Sequence, residues 1–446
     1  FTNSMSAPST RTIWDIAWPI MFSLAAQNIV NVTDTAFLGR VGEVELGASA
    51  IGGLLYTTLF MVAFGFTTGV QILVARRNGE KNYLAIGRIF DNSFYFLGLT
   101  SLIITFAVIF YGPAMLKPFM ASQAVFTASS TFLVYRIPGL FFASAGLLFR
   151  SFYTGIAFTK YLSISSAIMA GVNVLLDYLL IFGHWGFPQM GIKGAGIASS
   201  TAEVCALLFF VIITWRNTRL KHYVLFKLVK PDFEIIKSTL GISVFVMFQY
   251  VLSLGSWFVF FMFIEKMGER SLAVSNIIRS LYLLLMIPGW ALCSVTSTLV
   301  SNALGEGKPQ QVIPIIRKIL KFSVASMAVA IALAALFPRQ AISVYTNDLS
   351  LIEATVPSFY IILVALFMFG VMSILFNGVL GTANTKFALG IEMITLTAYL
   401  SFAWLIAVKL QLPIEYVWTA EFVYSFLIGI LSYWYLKKGN WRSKVI

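Results

Sequence analysis

Residues Gly171 to Gly183, GVNVLLDYLLIFG, are almost wholly apolar, yet they carry one aspartate, Asp177. The apolar run reaches back to Tyr161, which makes it long enough to cross a bilayer as a helix. In such a helix Asn173, four residues earlier, lies on the same face as Asp177. A carboxylate inside a membrane span costs about 2.5–3.5 kcal/mol on insertion scales, so the sequence predicts a functional site here.

The composition is that of a membrane protein with many spans. Of the 446 residues, 59% are hydrophobic and 11% are charged, whereas a soluble domain carries about 25% charged residues. We expect no cleavable signal peptide, because the first apolar run leads straight into a span, and Phe1 to Ser4, before Met5, are expected to be a cloning remnant. Cys205 and Cys293 lie in apolar runs without metal-binding spacing.

The hydrophobic runs predict an all-α membrane protein with twelve transmembrane helices. Their approximate limits are 13–37, 47–74, 89–111, 127–149, 161–183, 194–215, 238–264, 271–300, 315–337, 352–380, 387–409 and 415–436. The first six form a predicted N-lobe, 13–215, and the last six form a predicted C-lobe, 238–436. A cytoplasmic loop, 216–237, joins the lobes, and tails 1–12 and 437–446 flank them.

Lysine and arginine set the predicted orientation. With the N-terminus inside, the cytoplasmic loops and both termini hold 22 of the 31 basic residues, and the other face holds 7. The net charge of +13 therefore reflects the positive-inside rule, not nucleic-acid binding, since no basic patch is interleaved with aromatic residues. We expect a multi-pass protein of the plasma (inner) membrane with both termini in the cytoplasm.

The two lobes are an internal repeat. A shift of 226 residues aligns Gly42–Glu80 with Gly268–Glu306 without gaps, and 12 of the 39 positions are identical. Because this shift contains six spans, an even number, both lobes have the same orientation. Such a parallel repeat, related by an axis along the membrane normal, indicates a transporter with a cavity between two bundles.

The buried acids of the first and fifth spans occur in only one lobe. Under the repeat Asp34 falls opposite Phe260, and Asp177 falls opposite Ala403. Helical spacing gathers other side chains near them: Gln27 and Asn31 on the face of Asp34, and Ala195, Ser199 and Glu203 on one face of the sixth span. The sequence therefore predicts one polar pocket formed by spans one, five and six.

Two carboxylates in an apolar pocket can be accommodated in two ways, and both stay open. One of them takes up a proton, or a small hard cation such as Na⁺ binds Asp34 and Asp177, with Asn173 completing its oxygen shell. Either way the pocket is an ion-coupling site. The alternative is a helix–helix hydrogen-bond network, worth about 0.6 kcal/mol per bond.

Three further acids and one proline are secondary candidates. Glu203 and Glu421 occur at matching places in the two lobes, which favours a shared structural role. Glu392 is alone in span eleven and is a candidate substrate-cavity or proton group. Pro19, opposite Phe245 in the repeat, removes a backbone hydrogen bond from span one and is a predicted hinge.

The chain resembles the multidrug and toxic compound extrusion (MATE) transporters from about Ile13 to Tyr435. The resemblance rests on Asn31–Gly39, Asn173–Gly183, Gly191–Ala198 and the related segments Gly155–Lys160 and Gly381–Lys386. It implies two six-helix lobes arranged in a V. It also implies efflux of amphipathic organic cations, driven by H⁺ or Na⁺ and needing no other cofactor.

Within that family the acids resemble the branch named after the DNA-damage-inducible protein F. The resemblance implies a cation or proton site in the N-lobe, made by Asp34, Asp177, Asn173 and Gln27, with Ser199 where a threonine is often found. Gln249 stands near the place of a seventh-span glutamate in the other branch, which speaks against a C-lobe cation site of that type.

Four kinds of function compete. We favour an ion-coupled antiporter that exports cationic drugs or toxins as a monomer in the lipid bilayer. A flippase of a lipid-linked intermediate would need several basic residues in its cavity, and only Arg136 and Arg279 fall within the predicted spans. An enzyme would need a cluster of His, Cys or acids at one interface, and a channel a ring of equivalent polar groups; the sequence predicts neither.

Overall fold

A computed structural model describes residues 8–119, 122–227 and 230–442, and these residues are helical without any β-strand. The expected remnant Phe1–Ser4 and the last four residues of the predicted C-terminal tail lie outside them. The helices are α1 Thr10–Val41, α2 Glu43–Gly79, α3 Tyr83–Leu116, α4 Gln123–Arg136, α5 Gly139–Gly155, α6 Lys160–Phe182, α7 Ile192–Arg216, α8 Phe233–Glu265, α9 Glu269–Leu285, α10 Ile287–Gly305, α11 Val312–Leu336, α12 Pro338–Ser343, α13 Leu349–Gly381, α14 Thr385–Trp404, α15 Ile414–Val417 and α16 Ala420–Lys438.

Most of these helices are membrane spans. Among the described residues, nine helical segments are individually long and apolar enough to cross a bilayer, and two bent helix pairs bring the number to eleven. The remaining predicted span is α1, which is 32 residues long but carries a glutamine, two asparagines and two aspartates. Every predicted span overlaps one of these helices or two consecutive ones, and several helices extend beyond the predicted ends. The predicted span 387–409 continues past α14 in a π-helical turn, Leu405–Lys409.

The two bends both occur at a proline. α4 and α5 meet at 48°, and Pro138 stands directly before α5; α9 and α10 meet at 47°, and Pro288 lies in the first turn of α10. Proline lacks the N–H that would continue the hydrogen-bond ladder of the preceding helix, which accounts for a break at these places. Pro19 has a different setting, because α1 continues as helix through it.

The chain divides into two compact units. One is Phe22–Met247, and the other is Phe248–Ile446 together with the start of the chain up to Met21. The divisions fall inside α1 and α8, the first helix of each half of the repeat. The lobe limits 13–215 and 238–436 follow the repeat and stay a prediction.

In the unit Phe22–Met247, α6 and α7 form a tight hairpin. α6 ends at Phe182, and the next residue, Gly183, has the left-handed φ of +75° that commonly terminates a helix. The Met190 N–H then donates to the Leu180 carbonyl oxygen at 2.8 Å, and α7 starts alongside. Gly194 lies so close to this carbonyl that an added Cβ would stand 2.8 Å from it. The hairpin thereby fixes the polar residues of α6 against those of α7.

In the other unit, α13 packs against α9, α10, α11 and α16, and α14 packs against α16. Aromatic rings fill the centre of this unit. Phe260 stacks on Tyr399 with ring centroids 5.4 Å apart and meets Trp418 edge-on at 5.1 Å, and all three side chains are fully buried. Phe260 is the repeat counterpart of Asp34, so this unit has an aromatic core where the first unit has a carboxylate.

Candidate functional site

Helices α1, α6 and α7 bring four of the predicted site residues together. Asn173 Nδ2 donates a hydrogen bond to Ser199 Oγ at 3.2 Å, and Ser199 Oγ donates to Asp34 Oδ2 at 3.4 Å. The carboxyl groups of Asp34 and Asp177 adjoin closely enough to share a hydrogen bond when one is protonated. Asp177 is 0% exposed and Asn173 1%, whereas Asp34 is half-buried.

This cluster has more oxygen acceptors than donors. With both carboxylates ionised, Asp34 Oδ1, both Asp177 oxygens and Asn173 Oδ1 are buried and accept no hydrogen bond from any described residue. Buried polar groups are almost always paired, so four orphaned oxygens in one place call for an explanation. A proton held between the acids, or a small cation bound among the oxygens, satisfies them.

The donor set suits a hard cation or a proton. Its members are carboxylate, amide and hydroxyl oxygens, which are the ligands that Na⁺-like and Ca²⁺-like ions accept. Within the described parts of the chain, no three His, Cys, Asp or Glu side chains converge, and Cys205 and Cys293 are both unbridged. The cluster therefore does not have the nitrogen and sulfur ligands of a zinc or copper site.

Gln27 and Asn31 are not part of this cluster in the structure. Both lie on α1 near the face of Asp34, as predicted, but their side chains are exposed. Ala26 and Val30, on the adjoining side of the helix, are the residues that are buried. Asp34 thus lies at the edge between the covered and the open side of α1.

An ion pair next to the cluster connects α4 with α7. Arg136 donates two hydrogen bonds to Glu203, at 2.7 Å to Oε1 and 3.1 Å to Oε2, and its guanidinium lies 3.7 Å from the ring centroid of Tyr56. The Tyr56 hydroxyl also donates to Glu203 Oε1 at 3.0 Å. Arg136 is close enough to interact electrostatically with Asp34 and Asp177. Gly139 makes room for the pair, because an added Cβ would stand 2.5 Å from Glu203 Oε2.

The amino-acid sequence indicates that Arg136 needs a partner, but it does not identify Glu203 as that partner. A basic residue within a membrane span needs a counter-charge, and Arg136 is one of the two arginines within the predicted spans. Its partner Glu203 is 67 residues away, so spacing alone cannot pair them.

Glu421 and Glu392 lie in the other unit, in surroundings rich in tyrosine. Glu421 is 3% exposed and accepts a hydrogen bond from the Tyr399 hydroxyl at 3.1 Å. Glu392 is 1% exposed; its Oε1 accepts from Ser253 at 2.7 Å and from Tyr424 at 2.9 Å, while its Oε2 is buried without a donor among the described residues. No described Lys, Arg or His lies within 4 Å of either carboxylate.

An all-helical membrane protein with a parallel internal repeat and orphaned carboxylates at membrane depth has the features of a secondary transporter. The MatE family model matches residues 19–179 and again 246–405, one match in each half. The chain belongs to this family, the MATE transporters. Members of the family are transporters, not enzymes, and they move small molecules across membranes.

Curated relatives agree with the family. The chain is 24% identical over 342 residues to the probable multidrug resistance protein NorM of Brucella suis, covering 74% of this chain and 71% of the relative. It is 23% identical over 436 residues to the NorM of Thermotoga maritima, covering 97% and 93%. A solved transporter of the MOP superfamily from Pyrococcus furiosus superimposes with a TM-score of 0.89 at 17% identity, covering 98% and 97%. These likenesses confirm the predicted twelve-span fold with its two-lobe repeat.

Proposed function

We propose that this protein is a secondary active exporter that exchanges amphipathic organic cations for H⁺ or Na⁺, with Asp34 and Asp177 as the coupling acids. The observation that carries the proposal is the group of four buried oxygens on Asp34, Asp177 and Asn173 that have no hydrogen-bond donor among the described residues. Asn173 and Ser199 complete the site. The relatives are probable multidrug resistance proteins by name, which supports drugs as the substrates.

Ion uptake and drug release are linked by charge in this proposal. When a proton or Na⁺ binds between the two acids, it cancels one of their two negative charges, so repulsion within the pair is relieved and α1, α6 and α7 pack more closely. The unit then loses negative charge and holds a cationic drug less tightly. Such linkage is reciprocal, so the drug must weaken ion binding by the same factor. A tenfold mutual effect needs only about 1.4 kcal/mol.

The two arginines within the predicted spans, Arg136 and Arg279, favour export of cations over the alternative, flipping of a lipid-linked phosphate. A flippase needs free cationic charge to meet phosphate. Glu203 neutralises Arg136, and Arg279 lies 5.2 Å from the ring centroid of Phe261. The remaining orphaned groups in the cluster of α1, α6 and α7 are acceptors, which suits a cation.

Proteoliposomes with separately imposed H⁺ and Na⁺ gradients test the proposal. Efflux of a fluorescent cationic drug should follow one gradient and collapse when that gradient is dissipated. Vesicles with the purified protein but no gradient are the control. Efflux that is indifferent to both gradients would rule out ion-coupled antiport, and uptake of an anionic lipid-linked probe instead would favour the flippase.

A second expectation concerns Pro19, the predicted hinge. Pro19→Ala restores the N–H that proline lacks, so α1 gains a backbone hydrogen bond and resists bending. We expect the variant to bind drug and ion as the wild type does but to turn over several-fold more slowly. Equilibrium drug binding and initial efflux rates, measured on the same preparation, separate the two effects. Wild-type turnover in Pro19→Ala would remove the hinge and leave the ion site intact.

A further inference from the structure

A second polar cluster in the unit Phe22–Met247 has a positive charge without a counter-charge nearby. Arg150, near the end of α5, donates to Ser166 Oγ on α6 at 3.3 Å and also to Ser23 Oγ on α1. The two serine hydroxyls are 2.6 Å apart, and both serines are at most 1% exposed. No carboxylate among the described residues lies within 4 Å of Arg150. Arg150 lies within a helix pair long and apolar enough to span a membrane, and among the described residues its side chain bonds to two hydroxyls and to no carboxylate. A charged side chain in such a segment is by default a candidate functional residue.

The position of this cluster is related to that of the coupling acids. Ser23 precedes Asp34 by eleven residues on α1, and Ser166 precedes Asp177 by eleven residues on α6. Eleven residues are about three helical turns, roughly 16 Å, and return a side chain to the same side of the helix. Helices α1 and α6 therefore run parallel and in register, with the serine contact at one place and the acid pair three turns further on.

The register of α1 against α6 needs at least one directional contact that stops the two helices from sliding past each other. Shifting one helix by a single residue rotates its contacts by about 100°, which would separate Asp34 from Asp177. Between the two places the buried residues of α1 are Ala26 and Val30, which are apolar and offer no directional bond. Among the described residues, the cluster of Ser23, Ser166 and Arg150 supplies the directional bonds at this distance from the acids.

The cluster also stands where α1 enters its unit. The unit begins at Phe22, and Ser23 is its second residue, four residues after Pro19. A bend at Pro19 would thus occur directly before the place at which α1 is held. Arginine suits this role because its planar fork can donate to two hydroxyls at once, whereas lysine presents a single point charge.

We propose that Arg150, with Ser23 and Ser166, is a positioning residue of the ion site: it fixes α1 against α6 in the register that brings Asp34 to Asp177. The inference rests on the proposed coupling role of these two acids. Removal of the fork should let α1 shift relative to α6 and weaken ion binding. We expect Arg150→Gln to need about tenfold more H⁺ or Na⁺ for half-maximal efflux, within the usual range of coupling effects. Drug affinity without the ion should stay unchanged.

A disulfide provides the decisive test, because it can replace the arginine's positioning but not its charge. The protein carries Arg150→Gln, Ser23→Cys and Ser166→Cys, with Cys205→Ser and Cys293→Ser to remove the other thiols. The Oγ separation of 2.6 Å is compatible with disulfide formation after small side-chain rotations. We expect oxidation to restore the wild-type ion dependence and reduction to abolish it again. The matched control replaces Ser165 instead of Ser166, because Ser165 Oγ faces the Ala206 carbonyl on α7.

The outcomes are distinguishable. If Arg150→Gln keeps the wild-type ion dependence while Asp34→Asn loses coupling, the positioning role is wrong and the proposed function stands. The positioning role is equally wrong if the disulfide forms but the shifted ion dependence remains, or if the Ser23→Cys/Ser166→Cys pair does not cross-link in protein that still binds drug. If Asp34→Asn itself keeps ion-coupled efflux, the proposed function fails, and this inference fails with it.

Discussion

Replacing Asp34 or Asp177 with asparagine is expected to abolish gradient-driven efflux while leaving a folded protein in the membrane. Asparagine has nearly the same shape and still accepts a hydrogen bond, but it carries no charge and binds no proton at ordinary pH. Ser199 retains an acceptor at position 34, so the packing of α1 on α7 should survive. The property that disappears is the ability of the site to change charge when the ion binds.

Drug binding as a function of ion concentration measures this loss directly. In the wild type, drug affinity should fall about tenfold as the coupling ion saturates, which corresponds to about 1.4 kcal/mol. In either asparagine variant, and in the double variant, drug affinity should be the same with and without the ion. Wild-type efflux by Asp34→Asn, or an ion effect that survives in the double variant, would contradict the proposal.

Gln27 offers a matched control on the same helix. It lies near the face of Asp34, but its side chain is exposed and outside the cluster. Gln27→Ala should therefore leave the ion dependence of drug binding unchanged, although it can alter drug affinity if the drug touches this side of α1. A loss of ion dependence in Gln27→Ala would mean that Gln27 belongs to the ion site, although its side chain lies outside the cluster in the structure.

Sequence alone located the acid pair because the repeat provides an internal comparison. Asp34 and Asp177 stand out since their counterparts are Phe260 and Ala403, and helical spacing put Asn173 on the face of Asp177, where the structure shows it bonded to Ser199. The assignment of Gln27 and Asn31 to the same pocket relied on the same spacing but gave a different outcome. Periodicity fixes the direction of a side chain around its own helix, and it does not say which neighbouring helix covers that direction.

Contacts between side chains far apart in the chain could not be predicted from the sequence, for a related reason. Arg150 falls at the predicted start of a loop, but α5 continues to Gly155, so the arginine lies inside a helix and reaches α1 and α6. Its contact with Ser23 spans 127 residues of chain. Nothing in the composition of α5 indicates which hydroxyls it meets, because that depends on how three helices pack.

The internal repeat also does not fully predict the roles of the two matching glutamates, Glu203 and Glu421. Tyr56 and Tyr282 are repeat counterparts, and they lie near Glu203 and Glu421 respectively. This much supports a shared structural role for the two glutamates. The partners nonetheless differ, because Glu203 is paired with Arg136 and Glu421 accepts from Tyr399. One glutamate balances a buried charge, whereas the other has only neutral partners among the described residues.

This difference predicts opposite results for the same substitution. Glu203→Gln leaves the Arg136 guanidinium buried without its counter-charge, and breaking a buried ion pair on one side costs about 3–5 kcal/mol of unfolding free energy. Glu421→Gln keeps an acceptor for the Tyr399 hydroxyl and disturbs no charge, so its effect should be below about 1 kcal/mol. SDS titration in mixed micelles gives the relative unfolding free energies, with thermal melting as a second measure.

A double variant shows whether the loss comes from the uncompensated arginine. Adding Arg136→Gln to Glu203→Gln removes the orphaned charge, so the double variant should be more stable than Glu203→Gln alone. Arg136→Gln alone should be destabilising, because Glu203 would keep its hydrogen bond from Tyr56 but lose its cation. Since Arg136 also interacts electrostatically with Asp34 and Asp177, the double variant should show an altered ion dependence even where stability is restored. Equal stability of Glu203→Gln and Glu421→Gln would mean that the ion pair contributes no more than a neutral hydrogen bond, and the two glutamates would then share one role after all.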